Sequence, residues 1–281
     1  MDKIIALVVT YNRIDKLKIC IEKLIQQTIS LDKIVIINNN SNDGTTEFLD
    51  SIKNQQIVCV NLNENTGGAG GFKKGLETAL ELGADWIWGM DDDAYPRSNA
   101  LEELLKIKKI KENANCCFWS NCNNDNDFKE EYKEVKHLMF VGFFFNKHML
   151  KETGMPRGDF FIYYDDIEFS ERIQKCGYSI IKVRDSIIEH KDAASNLLMN
   201  LKLGKNNVQI VSCPTQNWRI YYWVRNDILR FAKWSGKWFF KVIFHTTLKY
   251  IKIVIFAPNG KNFFFKGLKD ALTEKSGKLE L

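Results

Sequence analysis

Three consecutive aspartates, Asp91-Asp92-Asp93, stand directly after the apolar run from Trp86 to Met90. That run has the length and the continuous apolar character of a strand covered on both faces, so the triplet falls at the carboxyl end of a buried strand. Open α/β sheets bind ligands at those ends. Adjacent carboxylates repel one another, and a fold tolerates three of them there when a cation or another positive group compensates. A hard divalent ion, Mg2+ or Mn2+, held by one or two carboxylates and a diphosphate meets that need. A solvated acidic turn is the plainer alternative.

The preceding sequence repeats the same logic. Ile4 to Val9 is a β-branched and apolar run ending in Thr10-Tyr11-Asn12-Arg13, and Leu17, Ile21, Leu24 and Ile25 recur at helical spacing between Asp15 and Gln27. Lys33 to Ile37 restarts a strand that stops at Asn38-Asn39-Asn40-Ser41-Asn42-Asp43-Gly44-Thr45, which completes a βαβ unit. Thr45 or Thr46 is placed to cap a helix through Lys53, Gln56 to Val60 forms a third strand, and a glycine-rich segment, Asn65 to Phe72, leads into a helix to about Leu82. From Asn113 to Lys136 the chain reads as polar and irregular. Val141 to Phe145 reads as an antiparallel strand, a helix follows Asp165-Asp166 and ends near Gly177, and Ser179 to Val183 and Ile187 to His190 close the α/β part. Beyond about Ser212 the chain is aromatic, basic and helical in pattern. The expectation is an α/β domain over residues 1–200 and a helical extension over 201–281.

The 281 residues suit one catalytic domain with such an extension, and 45% hydrophobic with 27% charged residues is a globular composition. Phenylalanine (19) and tryptophan (7) are abundant enough to need a location. The net charge of +5 is uneven, with lysine and arginine crowded after Arg219, which points to an anionic surface partner for that end. Cys20, Cys59, Cys116, Cys117, Cys122, Cys176 and Cys213 show no paired metal spacing and are odd in number, as reduced thiols inside a cell would be. The first apolar run is too short for a signal peptide and lacks a cleavage region, so a cytoplasmic location is expected.

The glycine-rich segment lacks the dinucleotide fingerprint, because Lys73 stands where a third glycine is required, and a nicotinamide enzyme is not expected. Gly68 and Gly70 offer either close backbone approach to a ligand at a helix start or a flexible turn. Asp165 and Asp166 follow Phe160, Phe161, Tyr163 and Tyr164, aromatics suited to lining a sugar pocket and raising a carboxylate pKa, and a helix cap is the alternative role for one of the two acids. His190 follows a strand, where a lone histidine is more often structural than a ligand.

Taken in order, VVTYNR, NNNSNDGT, NTGGAGGF, WGMDDDAYP, FFIYYDDIEFSERI with GYSI, and EH resemble the family 2 glycosyltransferases over roughly residues 1–195, and within them the bacterial galactofuranosyltransferases and rhamnosyltransferases. The resemblance implies a GT-A fold, Rossmann-like, with a mostly parallel sheet flanked by helices. It implies that Thr10, Tyr11, Asn12, Arg13, Asn38, Asn39, Gly68, Gly70 and Asp92 contact the nucleotide or donor sugar. Asn38 departs from the family's usual aspartate and brings no charge to that place. Asp91, Asp93 and His190 would hold Mn2+ or Mg2+, and Asp166 would be the general base of an inverting displacement, without a covalent intermediate. Trp86, Tyr164 and Asp165 would face the acceptor, and Tyr221-Tyr222-Trp223-Val224-Arg225-Asn226 reproduces a run found in similar transferases. The implied partners are a UDP-sugar, with UDP-galactofuranose favoured, and a glycan or lipid-linked glycan. The implied alternatives are transfer of rhamnose or another hexose, and a non-catalytic nucleotide-binding subunit.

Residues 234–256 mix large apolar side chains with Lys237, Lys241, Lys249 and Lys252, too interrupted to span a bilayer. An interfacial helix on the inner face of the cell membrane fits them, and a helical core or a homo-oligomer contact is the alternative. The aromatics there follow a helical stripe, not a base-stacking platform, so no nucleic-acid partner is expected.

Overall fold

The apolar runs form strands because each is too short for a stable helix, rich in β-branched residues and flanked by turn-forming polar residues. A computed structural model describes residues 2–112, 114–122, 128–190, 198–203, 206–211, 214, 216–232 and 238–279. Strand and helix alternate through β1 (Ile4–Thr10), α1 (Ile14–Ile25), β2 (Lys33–Asn38), α2 (Thr45–Ser51), β3 (Ile57–Asn61), α3 (Gly67–Glu81) and β4 (Trp86–Asp91). Then follow β5 (Ala94–Pro96), α4 (Ala100–Ile110), β6 (Cys116–Cys122), β7 (Tyr132–Val135), β8 (Phe143–Asn146), α5 (Lys147–Thr153), α6 (Asp165–Lys175) and β9 (Ser179–His190).

These strands form one sheet in the order β3-β2-β1-β4-β8-β6-β9-β5, with β7 also on β9. The β3-β2-β1-β4 half is parallel, and β8 joins β4 antiparallel as expected. Helix α3 packs on β1 and β2, and α4 packs on β6 and β9. Close approach on the first of these faces requires glycine: a Cβ at Gly75 would lie 2.1 Å from Leu7 Cδ1 and one at Gly71 2.6 Å from Val9 Cγ1. The surplus aromatics fill the antiparallel half, where Phe143 stacks on Phe145 at 4.3 Å and meets Phe72 and Phe140 edge-on. Each such fully buried ring contributes about 1.5–3 kcal/mol.

Three local expectations are corrected. The stretch read as irregular from Asn113 contains β6 and β7; β6 is buried at every position because Ser120 and Asn121 find partners inside, Ser186 Oγ donating to Ser120 Oγ at 2.9 Å and Asn121 donating to the Arg184 carbonyl at 2.9 Å. Asn113 itself lies outside the described residues. The two runs after Ser179 form one continuous strand, β9. Helix α2 is capped neither by Thr45 nor by Thr46: Asp43 accepts from the Thr45 amide and hydroxyl, and Gly44 takes the left-handed conformation at φ 89°.

The chain divides into two compact units, one of residues 1–158 with 166–191 and one of residues 159–165 with 192–281. The second holds the hairpin β10 (Leu198–Leu203) and β11 (Asn206–Val211), which the sequence pattern did not announce, and the helices α7 (Asn217–Ala232), α8 (Trp238–Phe256) and α9 (Lys261–Leu272). The boundary expected at residue 200 falls inside β10. Cys213 and residues 234–237 lie outside the described residues. No described helix is long and apolar enough to cross a membrane.

Candidate active site

Parallel register brings the polar ends of the strands level. Val9 pairs with Asp91 and Thr10 with Asn38, so the ends of β1, β2 and β4 form one rim. The short β5 turns back antiparallel to β9 with Ala94 opposite His190, which carries His190 to the residue before β5, Asp93. His190 Nε2 lies 3.0 Å from Asp93 Oδ1, and ligand atoms of Asp91, Asp93 and His190 all lie within 4.8 Å of one another. Two distant parts of the sequence, Asp91 with Asp93 and His190, thus meet in one cluster. Two carboxylates and an imidazole are a donor set that suits Mn2+ and accommodates Mg2+ through the carboxylates.

The repulsion expected of the triplet is present and incompletely neutralised. Burial, then the charges of Asp93 and Asp92, push the Asp91 carboxyl up to about 7. Burial likewise raises Asp92. Burial acts to raise Asp93 too, but the hydrogen bond and charge of His190, with Arg13, outweigh it and hold Asp93 below the ordinary carboxylate value. The Asp93 hydrogen bond in turn raises His190. Arg13 reaches Asp93 Oδ2 at 2.6 Å and Asp92 Oδ1 at 3.4 Å, so the residue expected only as a donor contact also offsets part of the cluster's charge. An arginine just past β1, beside an acidic triplet at the end of the neighbouring parallel strand, was the available signal for that role.

The residues expected on the donor side also hold the rim together. Asp92 is 3% exposed, and its carboxylate accepts from Thr10 Oγ1 at 2.7 Å and from Arg13, so it ties β1 to β4. Thr10, 1% exposed, is spent on that bond. Asn38 donates to Thr46 Oγ1 and Asn61 Oδ1, both at 2.9 Å, and accepts from the Ser41 amide, which explains why an amide can replace an acid there. Asn39 donates to the Gly67 carbonyl and accepts from Thr66, fixing the start of α3. These side chains shape the rim. Tyr11 is 44% exposed, and Asn12, at φ 53°, accepts from the Asn42 amide. Gly68 is exposed in the first turn of α3 with open space where a Cβ would stand, whereas a Cβ on Gly70 would strike Thr66 at 2.5 Å. The glycine segment is therefore a helix start, not a loop before one.

Asp166 lies in the first turn of α6. Burial pushes its carboxyl up to about 6, and its Oδ1 accepts from the Ile167 amide at 2.7 Å. Its carbonyl accepts from Ser170 Oγ, which in turn accepts from the Leu138 amide. No hydrogen bond joins Asp166 to the triplet among the described residues.

Of the residues expected at the acceptor, Trp86 is misplaced. It opens β4 at the end opposite Asp91, about 17 Å away at 3.3 Å per strand residue, and stacks on Phe144 at 4.7 Å with Lys108 over its ring. An apolar run shows which residues form a strand but not which end meets a ligand. Tyr164 and Asp165 belong to the second unit, where the Tyr164 ring is met by Arg230 at 5.3 Å and Lys249 at 4.5 Å.

A parallel half-sheet with an acidic rim and a histidine brought to it by β9 is the architecture of the GT-A fold, and solved structures share that fold. GalNAc-T7 with UDP, GalNAc and Mn2+ matches at a TM-score of 0.57 with 14% identity, covering 68% of this chain and 44% of that one. The mannosyltransferase PcManGT from Pyrobaculum calidifontis, in complex with GDP-Man and Mn2+, matches at 0.58 with 16% identity, covering 99% of this chain and 76% of that one. Residues 5–167, more than half of the chain, match the glycosyl transferase family 2, and the chain belongs to that family. It is similar to galactofuranosyltransferase GlfT1 of Mycobacterium tuberculosis, 24% identical over 245 residues that cover 78% of this chain and 80% of the relative. The GlfT1 of Mycolicibacterium smegmatis is 35% identical over 102 residues, 36% of this chain and 33% of that protein.

Proposed function

We propose that this chain transfers galactofuranose from UDP-galactofuranose, with inversion, onto a glycan or lipid-linked glycan of cell-surface polysaccharide synthesis. The similarity to GlfT1 supports the sugar, and the convergence of Asp91, Asp93 and His190 within 4.8 Å carries the reaction class. These three residues would hold Mn2+ or Mg2+, which when bound neutralises charge that builds on the departing diphosphate. Arg13 and Thr10 hold Asp92 and Asp93 in place on the rim. Asp166 accepts the acceptor hydroxyl proton as that oxygen attacks the anomeric carbon and the bond to the diphosphate breaks on the opposite face. Its pKa near 6 leaves it ionised at neutral pH and more basic than an exposed aspartate.

The test is release of UDP from a panel of UDP-galactofuranose, UDP-galactopyranose, UDP-glucose and dTDP-rhamnose, with Mn2+ and a lipid-linked acceptor. Turnover with UDP-galactofuranose that is lost in Asp166→Asn supports the proposal. Preference for another donor replaces the sugar, and unimpaired turnover of Asp166→Asn removes the base assignment.

The second unit supports a peripheral contact with the inner face of the cell membrane. Phe244, Leu248, Ile251 and Ile255 recur at helical spacing on α8 and are each at least 43% exposed. Lys261, Lys266 and Lys269 are exposed on α9, and the one acid of the two helices, Asp270, is 7% exposed. An exposed apolar stripe and exposed lysines on the following helix have the chemistry that suits an anionic lipid surface. Co-sedimentation with phosphatidylglycerol vesicles that is lost in Phe244→Ser/Ile251→Ser supports this contact; a concentration-dependent dimer lost in the same variant would assign the stripe to a homo-oligomer instead.

A further inference from the structure

The segment immediately before Asp166 adopts a backbone that its own residues disfavour. Phe161, Tyr163 and Tyr164 have φ values of 66°, 67° and 65°, the left-handed region that bulky side chains avoid. Carbonyls in such a run are not paired by a helix or a sheet ladder, and buried ones require side-chain donors. Two neighbouring residues of α7 supply them. Asn226 Nδ2 donates to the carbonyls of Phe160, Ile162 and Tyr163 at 2.8, 2.8 and 3.0 Å. Arg225 Nη2 donates to those of Asp159 and Phe160 at 3.1 and 3.2 Å.

Both donors are fully buried and are themselves fixed. The Arg225 guanidinium lies 5.0 Å from the ring centres of both Tyr221 and Tyr222, its Nη1 donates to the Gly277 carbonyl, and its Nε donates to Asn226 Oδ1 at 2.8 Å. The Gly277 amide donates back to the Asp159 carbonyl at 2.8 Å, which closes the ring of bonds. The Tyr-Tyr-x-x-Arg-Asn run is thus a clasp on residues 159–163, all within the second unit, and the chain passes from that segment through Tyr164 and Asp165 to Asp166.

We propose that Arg225 and Asn226 are positioning residues for the transfer step: they hold the strained strap 159–165 and thereby set the backbone from which Asp166 presents its carboxylate. The inference rests on the reading of Asp166 as the base. A buried clasp that served stability alone would leave the catalytic step untouched in any variant that still folds.

Asn226→Asp tests this, because it keeps the acceptor used by Arg225 and removes all three donated bonds at constant volume. In the full-length protein, amide exchange of the peptide spanning 159–167 should accelerate at least tenfold while peptides from residues 4–122 are unchanged. With UDP-galactofuranose, kcat should fall about 100-fold, the cost of a roughly 1 Å misplacement, while KM for the donor and the affinity for UDP with Mn2+ stay within about twofold. In an Asp166→Asn background the same substitution should lower the residual rate less than about threefold, because both changes act through one group. Should Asn226→Asp not fold, Arg225→Lys, which removes the fork and keeps the charge, carries the same comparison. Unchanged exchange at 159–167, an unchanged kcat, or a full further loss in the Asp166→Asn background would overturn the positioning role. Full turnover of Asp166→Asn by itself would instead overturn the base assignment on which the role depends.

Discussion

Each unit buries a knot of charge, and the two are balanced differently. In the second unit Asp227 faces Lys249 at 2.8 Å, Arg230 at 2.9 Å and His245 at 3.8 Å, so its cations equal or outnumber its acid. Burial acts to raise Asp227, yet Lys249 and Arg230 outweigh it and its pKa is lowered. In the first unit three carboxylates share Arg13 and His190, and Asp91 is pushed up to about 7. The Asp227 knot completes itself with its own side chains and reads as structure. The aspartate triplet keeps Asp91 raised despite its neighbouring cations, and such uncompensated acidity at the rim of an α/β sheet is what a metal and a diphosphate would use.

The sharpest way to break this contrast is to remove one acid from each knot. Asp91→Asn should abolish metal-dependent UDP release, by about a thousandfold or more, while the melting temperature holds or rises because repulsion is relieved. Asp227→Asn should do the reverse: leaving Lys249 buried without its counter-charge costs about 3 kcal/mol of stability, read by denaturant unfolding, with Mn2+ binding in the surviving folded protein unchanged. A destabilised Asp91→Asn protein with retained turnover would erase the distinction.

Proton linkage sharpens it further. Asp91 near 7, Asp166 near 6 and the raised His190 all bind protons more tightly in the folded chain than in the unfolded one, so metal-free stability should fall as pH rises from about 5 to 8. Mn2+ requires the deprotonated forms, so the rise in melting temperature it gives should grow over the same interval. Asp227, with its lowered pKa, contributes stability that is lost only as pH drops below the ordinary carboxylate range. Thermal melts at pH 5.5, 6.5 and 7.5, with and without Mn2+, check both signs.

The smallest effect concerns how the rim is built. Gly75→Ala drives a methyl group into Leu7 and should cost about 1–3 kcal/mol, whereas Gly68→Ala, with open space around it, should change stability by less than about 0.5 kcal/mol. Equal effects in denaturant unfolding would mean that the glycine-rich start of α3 is packing throughout.

Much of the first unit was legible because its signals are local. The runs that became β1, β2 and β4 are continuous and apolar, and the acids follow them directly. What sequence reasoning missed depends on distant partners. Strand β6 was hidden by Ser120 and Asn121, whose polar groups are satisfied only after β9 and the Arg184 carbonyl arrive. The hydrogen bonds of Asn38, Asn39 and Asp92 were not legible because their partners, Asn61, Gly67 and Thr10, are brought to them only by the fold. Trp86 was assigned by residue type, and the strand direction moved it to the far end. Residues 159–165 show the same limit from the other side, since nothing in FFIYYD announces that its carbonyls are held by Arg225 and Asn226.

The most direct test of the central claim is a calorimetric titration of the intact protein with Mn2+ at pH 7.5 in the presence of UDP, repeated for Asp91→Asn and His190→Ala. One Mn2+ per chain, weakened at least tenfold by His190→Ala and undetectable in Asp91→Asn, is the predicted result. Equal Mn2+ affinity in all three proteins, or UDP binding that is the same with and without the ion, would contradict it.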